Sequence, residues 1–226
     1  MRLAIFDLDN TLLAGDSDYE WGRFLIDVGA VDPVEYERAN TRFYEEYKAG
    51  TLDILAFSRF SFGPLASTDL ATLHEWRERF VAERIVPIVA PGTPALLERH
   101  RAQGDDLLIT TATNRFVTEP IARLLGVGEL IATDPEFVDG RYTGAVAGLP
   151  NFQAGKVTRL AQWMERGARR YQHLTAYSDS RNDLPLLERA DAAIAVDPDE
   201  VLRAEAQRRG WPVITLRGQP VTSAEV

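Results

Sequence analysis

The first apolar run of the chain, "MRLAIFDLDNTLL", closes on two aspartates separated by one leucine. Residues two apart on a strand share a face, so Asp7 and Asp9 project together or sit just past the strand end, while Leu8 packs the other way. Two ionised carboxylates so placed repel unless a cation or a shared proton stands between them. The plain alternative is a pair of exposed loop aspartates, one of them capping a helix. Three later segments carry complementary groups. "LLITTATNR" ends an apolar run in Thr110, Thr111, Thr113 and Asn114, whose hydroxyls and free backbone N–H groups at a helix start would form a phosphate cradle. "FQAGKVTRL" puts Lys156 in the first turn of a helix, where the helix dipole does not favour it and a solvated surface charge is the ordinary reading. "TAYSDSRNDLPLL" ends another run with Asp179, Asn182 and Asp183, alone no more than a turn and a helix N-cap. In this order, four such segments point to one charged-ligand site at the carboxyl ends of parallel strands.

The elements that would position these groups read as α/β. Strands are expected at 2–7, 106–111, 130–133, 173–179, 192–196 and 212–216, and helices at 92–103, 116–125, 154–167, 183–189 and 198–209. "VDGRYTG" (138–144) reads as a β-hairpin turning on Asp139-Gly140. From about Gly15 to Pro87 the rhythm breaks. There is no convincing strand, only helical spacing: 18–29, then Tyr36, Ala39, Asn40, Phe43, Tyr44 and Tyr47, then 52–60 and 69–83. The expected organisation is a Rossmann-like parallel-sheet core (1–14 and 88–226) with a helical cap (15–87) inserted after the first strand, and a frayed tail over the last ten residues.

Composition narrows the partners. The 226 residues are 45% hydrophobic and 26% charged, with a net charge of −9 and no cysteine. The negative balance argues against nucleic acid or an anionic membrane as the main partner. No apolar stretch reaches the ~18 residues of a membrane span, and "MRLAIF" is too short for a signal-peptide core. Absence of cysteine excludes thiolate chemistry and fits a cytoplasmic protein. An anionic substrate would need local cations to recruit it.

"DLDNT", the threonine after "LLIT", Lys156 and "SDSRND" together resemble the four motifs of the haloacid dehalogenase superfamily. Their order, with the helical insert after the first, is similar to the phosphoserine-phosphatase-like branch with a C1 cap. Ser178 stands where that family has glycine before the last motif's aspartate. The resemblance implies a Mg²⁺-dependent phosphomonoester hydrolase. In it Asp7 attacks phosphorus to form an aspartyl-phosphate, and Asp9 is general acid and base. Thr111 binds a phosphoryl oxygen, and Lys156 bridges Asp7 and the phosphate. Asp7, the Asp9 carbonyl and Asp179 hold the metal, with Asn182 and Asp183 orienting the shell and Lys156. Dehalogenases of this fold lack the second aspartate, so dehalogenation is not expected.

For the leaving group, the resemblance carries an acidic residue nine positions after the nucleophile, here Asp16, as partner of a substrate ammonium. Its plain alternative is the N-cap of the next helix. The family's carboxylate-gripping cap arginine falls, by count from Gly50, on Ser61, with Arg59 two positions away. That pattern favours a phosphorylated amino alcohol without a carboxylate, as in the branch's histidinol-phosphatases. Phosphoserine is the alternative, with Arg59 or Arg42 taking the carboxylate. Asn114 and Asn182 are further substrate-side candidates. Tyr19, Trp21, Phe24, Phe43, Tyr44, Tyr47, Phe57, Phe60 and Phe62 either line a ring pocket or pack the cap. His74, His100 and His173 have no metal-ligand spacing. Transfer of the phosphoryl group to an alcohol, and a non-catalytic phospho-ligand-binding module, stay open as other functions. Oligomeric state is not legible.

Overall fold

The computed structural model describes residues 1–218. The chain opens with β1 (Arg2–Phe6) and ends its four-helix insert, α1 (Ser17–Asp27), α2 (Pro33–Ala49), α3 (Ile54–Ser67) and α4 (Leu70–Phe80), before the second strand begins. A wide turn (Val81–Ile85) and a 3₁₀ turn (Val86–Ile88) lead to α5 (Thr93–Ala102), β2 (Asp106–Asn114) and α6 (Arg115–Leu124). Then come β3 (Glu129–Thr133), β4 (Pro135–Val138), β5 (Arg141–Val146), α7 (Ala154–Arg166) and β6 (His173–Ser178). The chain closes with α8 (Leu184–Arg189), β7 (Ala192–Val196), α9 (Glu200–Arg209) and β8 (Val213–Ile214).

Six of the strands form one parallel sheet in the order β3-β2-β1-β6-β7-β8. The near-continuous apolar run of β1 follows from its central place, since helices cover both faces of such a sheet. Its side chains alternate accordingly. Leu3 and Ile5 join Leu160, Leu186 and Leu202 on one face, while Ala4 and Phe6 join Leu96, Leu97 and Phe116 on the other. The strand order reverses at β1, so β2 and β6 flank it and all three deliver their C-terminal ends to one crevice.

The insert helices share one device. Asp16, Asp32, Asp53 and Asp69 each accept backbone N–H bonds at the N-cap of α1 to α4 respectively, which accounts for part of the acidic excess. α1 and α2 meet closely at Gly22, where a Cβ would lie 2.7 Å from Asn40 Nδ2. The apolar face of the insert continues into the core: Trp21 stacks on Phe24 and meets the edges of Phe80 and Phe116. α3 packs along β5 of the β4–β5 hairpin, whose turn takes the left-handed region at Asp139 and Gly140.

The expected elements are all present, with two corrections. The last strand is only Val213–Ile214, because Pro212 cannot donate to a ladder and the chain turns back at Leu216 to meet Asp197 and Gly92. Of the tail read as frayed, Arg217 is ordered and donates to the Asn10 carbonyl, and 219–226 lie outside the described residues. We expect Trp21→Ala to cost about 3–5 kcal/mol, read as a lowered urea midpoint in equilibrium unfolding; a shift near zero would contradict the packing described.

Candidate active site

Asp7 immediately follows β1 and its N–H donates to the Tyr177 carbonyl of β6 (2.9 Å). Its carboxylate is buried, with Oδ1 2.7 Å from Lys156 Nζ. Lys156 reaches it from the first turn of α7 and also lies 2.7 Å from the Asp183 carboxylate. The lysine is 2% exposed, so the solvated-surface reading does not hold. Burial alone would discharge it, yet Asp183 and Asp7 outweigh burial and hold its ammonium above the usual range. Asp183 is fixed by the Ser178 hydroxyl (2.8 Å), which also accepts the Ser180 N–H. Serine in place of the family's glycine thus adds a clamp on the lysine's partner.

Several backbone features aim these groups. After Asp9 the chain enters the left-handed region at Asn10 (φ 57°), and the Thr11 hydroxyl both donates to Asp179 Oδ1 and accepts the Asp179 N–H, each at 3.0 Å. The loop after β1 is thereby tied to the end of β6. A Cβ on Gly155 would collide with the Pro150 carbonyl oxygen, so the turn ahead of Lys156 closes only around glycine. Asn151, fully buried, donates to Thr110 Oγ1 and to the Thr111 and Ile131 carbonyls, pinning this turn to β2 and β3.

Asp9 faces the same cleft. Its Oδ1 accepts the Ser17 N–H (2.6 Å) and its Oδ2 accepts the hydroxyls of Thr113 (2.8 Å) and Thr111 (3.3 Å). Asp179 is held well above the usual carboxylate range by burial and then by the Asp7 charge. Asp7 itself is pushed up to about 7 by burial, against the pull of Lys156 and with Asp183 and Asp9 adding to the rise. Buried Asp7 and half-buried Asp179 place like-charged hard oxygens after adjacent strands, a donor pair that fits a hard divalent cation. Among the described residues no group of three or more His, Asp or Glu side chains forms a metal cage, so carbonyl, substrate and water oxygens would complete the shell.

A cleft opens above Asp7 and Asp9. From the core it is lined by Thr111, Ala112 and Thr113, and from the insert by Asp16, Asp18, Asn40 and Leu52. Its rings are Tyr19, Phe43, Tyr44, Tyr47 and Phe57, whereas Trp21, Phe24, Phe60 and Phe62 pack elsewhere, so both readings of the aromatic run apply. None of its lining residues is arginine, lysine or histidine. Asp16 is the N-cap of α1, its Oδ1 accepting the Asp18 and Tyr19 N–H groups, and the residue also lines the cleft. Its carboxyl is held well above the usual range by burial and by Asp9.

Four substrate-side expectations are corrected. Arg59 is exposed on α3 and does not line the cleft. The alternative, Arg42, lies over the Phe43 ring and pairs with Glu46. Asn114 is buried at the N-cap of α6, accepting the Val117 N–H and donating to Asp18 Oδ1 (3.3 Å), so it positions an acid instead of lining the cleft. Asn182 bridges the insert to the core, donating to the Tyr47 carbonyl (3.0 Å) and accepting from Gln153 (3.1 Å). Arg115 pairs with Asp134, and His100 is bonded between Asp105 and Tyr177. Sequence reasoning missed Asp18, which reads as one polar residue in the first turn of a helix. It treated Thr113 only as part of a phosphate cradle, although the threonine run marks the site.

The haloacid dehalogenase-like hydrolase family profile matches residues 4–188, and the chain belongs to that family. It is 44% identical over 220 residues to a histidinol-phosphatase of Neisseria meningitidis serogroup C, covering 96% of this chain and 99% of that one. A crystal structure of a protein of unknown function from Bordetella pertussis Tohama I superposes with TM-score 0.90 at 46% identity, covering 95% of this chain and 98% of that one. A phosphoserine phosphatase solved as a phospho-aspartyl intermediate analogue shares the fold, with TM-score 0.70 at 18% identity over 96% of this chain and 94% of that one.

The Lys156 pairing has a testable sign. Because Asp7 titrates near 7 instead of the usual 3.8, its contribution to stability is full below about pH 4 and is lost as pH rises through 7. Lys156→Met removes the compensating charge and should destabilise the metal-free protein by about 3–5 kcal/mol at pH 8. The loss should shrink at pH 5.5, where the Asp7 carboxyl takes a proton instead. Urea unfolding at the two pH values checks it, and an equal loss at both would contradict it.

Proposed function

We propose that this chain hydrolyses a small phosphate monoester with Mg²⁺ as cofactor and L-histidinol phosphate as substrate. The observation that carries the reading is Asp7: one carboxylate oxygen is held by Lys156, and among the described residues no protein group bonds the other, beneath a cleft that is acidic and aromatic. Residues 1–14 and 88–226 would form the catalytic core, and 15–87 the cap that reads the leaving group. The 44% identity to a histidinol-phosphatase supports the substrate. A cytoplasmic location accords with the lack of cysteine.

The free Asp7 oxygen attacks phosphorus as the bond to the leaving oxygen breaks, leaving an acyl phosphate on Asp7. Asp9 gives its proton to the departing alkoxide, then takes one from the water that displaces phosphate from Asp7. Thr113 and the Ser17 N–H orient Asp9 for both transfers. The long Thr111 bond to Asp9 is the contact a phosphoryl oxygen would replace. Lys156 carries positive charge to the transferring group. Bound Mg²⁺, held by Asp7, Asp179 and the Asp9 carbonyl, would neutralise phosphate and carboxylate charge. Tyr47 brings the cap down to these carboxylates: its hydroxyl is held well above the usual range by burial and by Asp7, Asp179 and Asp183.

Phosphoserine fits less well, because its carboxylate would meet Asp16 and Asp18 with Arg59 and Arg42 both turned to other surroundings. The decisive assay measures phosphate release from histidinol phosphate, phosphoserine and 2-aminoethyl phosphate, with and without added alcohol acceptors. Histidinol phosphate should be cleaved fastest, with water as acceptor and with loss of activity in chelator reversed by Mg²⁺. Asp7→Asn should fall by at least about 10³-fold and Asp9→Asn by about 10²–10⁴-fold. An inert parent protein would favour a non-catalytic phospho-ligand-binding role, and a phosphorylated acceptor alcohol would favour transfer.

A further inference from the structure

Asp18 stands two residues past the N-cap of α1 and is 8% exposed, yet the helix does not require it, since its own N–H is already bonded by Asp16. Its Oδ1 accepts from the Ser61 hydroxyl of α3 (3.2 Å) and from Asn114 Nδ2 (3.3 Å). Among the described residues its Oδ2 has no hydrogen-bond donor and the carboxylate has no ion-pair partner, although the residue lines the cleft. A carboxylate buried on neutral donors alone is costly unless a cation reaches it. Burial and then the Asp9 charge push its carboxyl up to about 7. Ser61 occupies the position counted for the family's carboxylate-gripping arginine, so a donor that fixes an acid has replaced a cation that binds one. The rings of Phe43, Tyr44 and Phe57 border the same space, offering faces to a flat cationic ring.

We propose that Asp18, held by Ser61 and Asn114, reads a ring N–H of a nitrogen heterocycle on the leaving alcohol, so that the substrate is gripped at two nitrogens, its amine by Asp16 and its ring by Asp18. This rests on the histidinol phosphate reading and extends it to a specificity residue outside the phosphoryl-transfer machinery. Asp18 forms the contact, and Ser61 and Asn114 are positioning residues.

The test is the ratio of kcat/KM for histidinol phosphate to that for 2-aminoethyl phosphate, which keeps an amine but has no ring. Asp18→Asn retains a carbonyl acceptor for Ser61 and Asn114 while removing the charge and replacing the free acceptor oxygen with an amide donor. It should lower the ratio by about 10- to 100-fold, chiefly through KM for histidinol phosphate, and weaken calorimetric binding of L-histidinol by a similar factor. Ser61→Ala, whose small cavity leaves the fold intact, should lower the ratio by a lesser factor. A ratio and histidinol affinity unchanged within twofold in Asp18→Asn would overturn the inference while leaving the substrate reading standing. A parent protein showing no preference for histidinol phosphate over 2-aminoethyl phosphate would overturn both.

Discussion

Carboxylate repulsion in a buried crevice is the constraint around which this molecule is built. Asp7, Asp9, Asp16, Asp18, Asp179 and Asp183 converge on one region, and Lys156 is the one buried lysine or arginine among the described residues. Fixed dipoles hold part of this charge: the Ser17 N–H, the threonine hydroxyls on Asp9 and Asp179, and the Ser178 hydroxyl on Asp183. What they leave unbalanced falls into two zones. Near Asp7 and Asp179 the deficit suits a hard divalent ion and a phosphoryl group. Near Asp16 and Asp18 it suits an organic cation. One cleft is thereby polarised along its length.

The fold makes that arrangement cheap in backbone terms. Asp7 and Asp179 follow neighbouring parallel strands, and Thr111 belongs to the strand on the other side of β1, so register alone brings them together. The insert is connected through the Asn182–Tyr47 bond at the cleft and through the Trp21 cluster beneath it. Insert and core thus meet at the cleft and also away from it, where α3 lies along β5 and Trp21 meets Phe116.

Much of the fold was legible because its signals are local. The apolar run of β1, the Asp139-Gly140 turn and the helical spacing of the insert each follow from a few neighbouring residues. The core of the site was legible too, since Asp7, Asp9, Thr111, Lys156, Asp179 and Asp183 lie at strand or helix ends that topology must bring together. The cap side was not. Arg59 looked available by count, but one helical turn decides whether a side chain meets solvent or cleft, and counting does not fix the rotation of α3. Asn114 and Asp18 are separated by 96 residues, so their pairing is invisible before folding. The role of Ser178 is equally hidden, because only the folded turn brings its hydroxyl onto Asp183.

The central claim is that Asp7 and Asp179 share a divalent ion from which phosphoryl capture by Asp7 follows. A crystal structure with Mg²⁺ and inorganic phosphate tests it most directly. The account predicts a six-coordinate ion with oxygens of Asp7 and Asp179 and the Asp9 carbonyl at about 2.0–2.1 Å, and phosphate between Lys156 and the free Asp7 oxygen. Phosphate bound elsewhere, or those two carboxylates without a shared ion at saturating Mg²⁺, would contradict it.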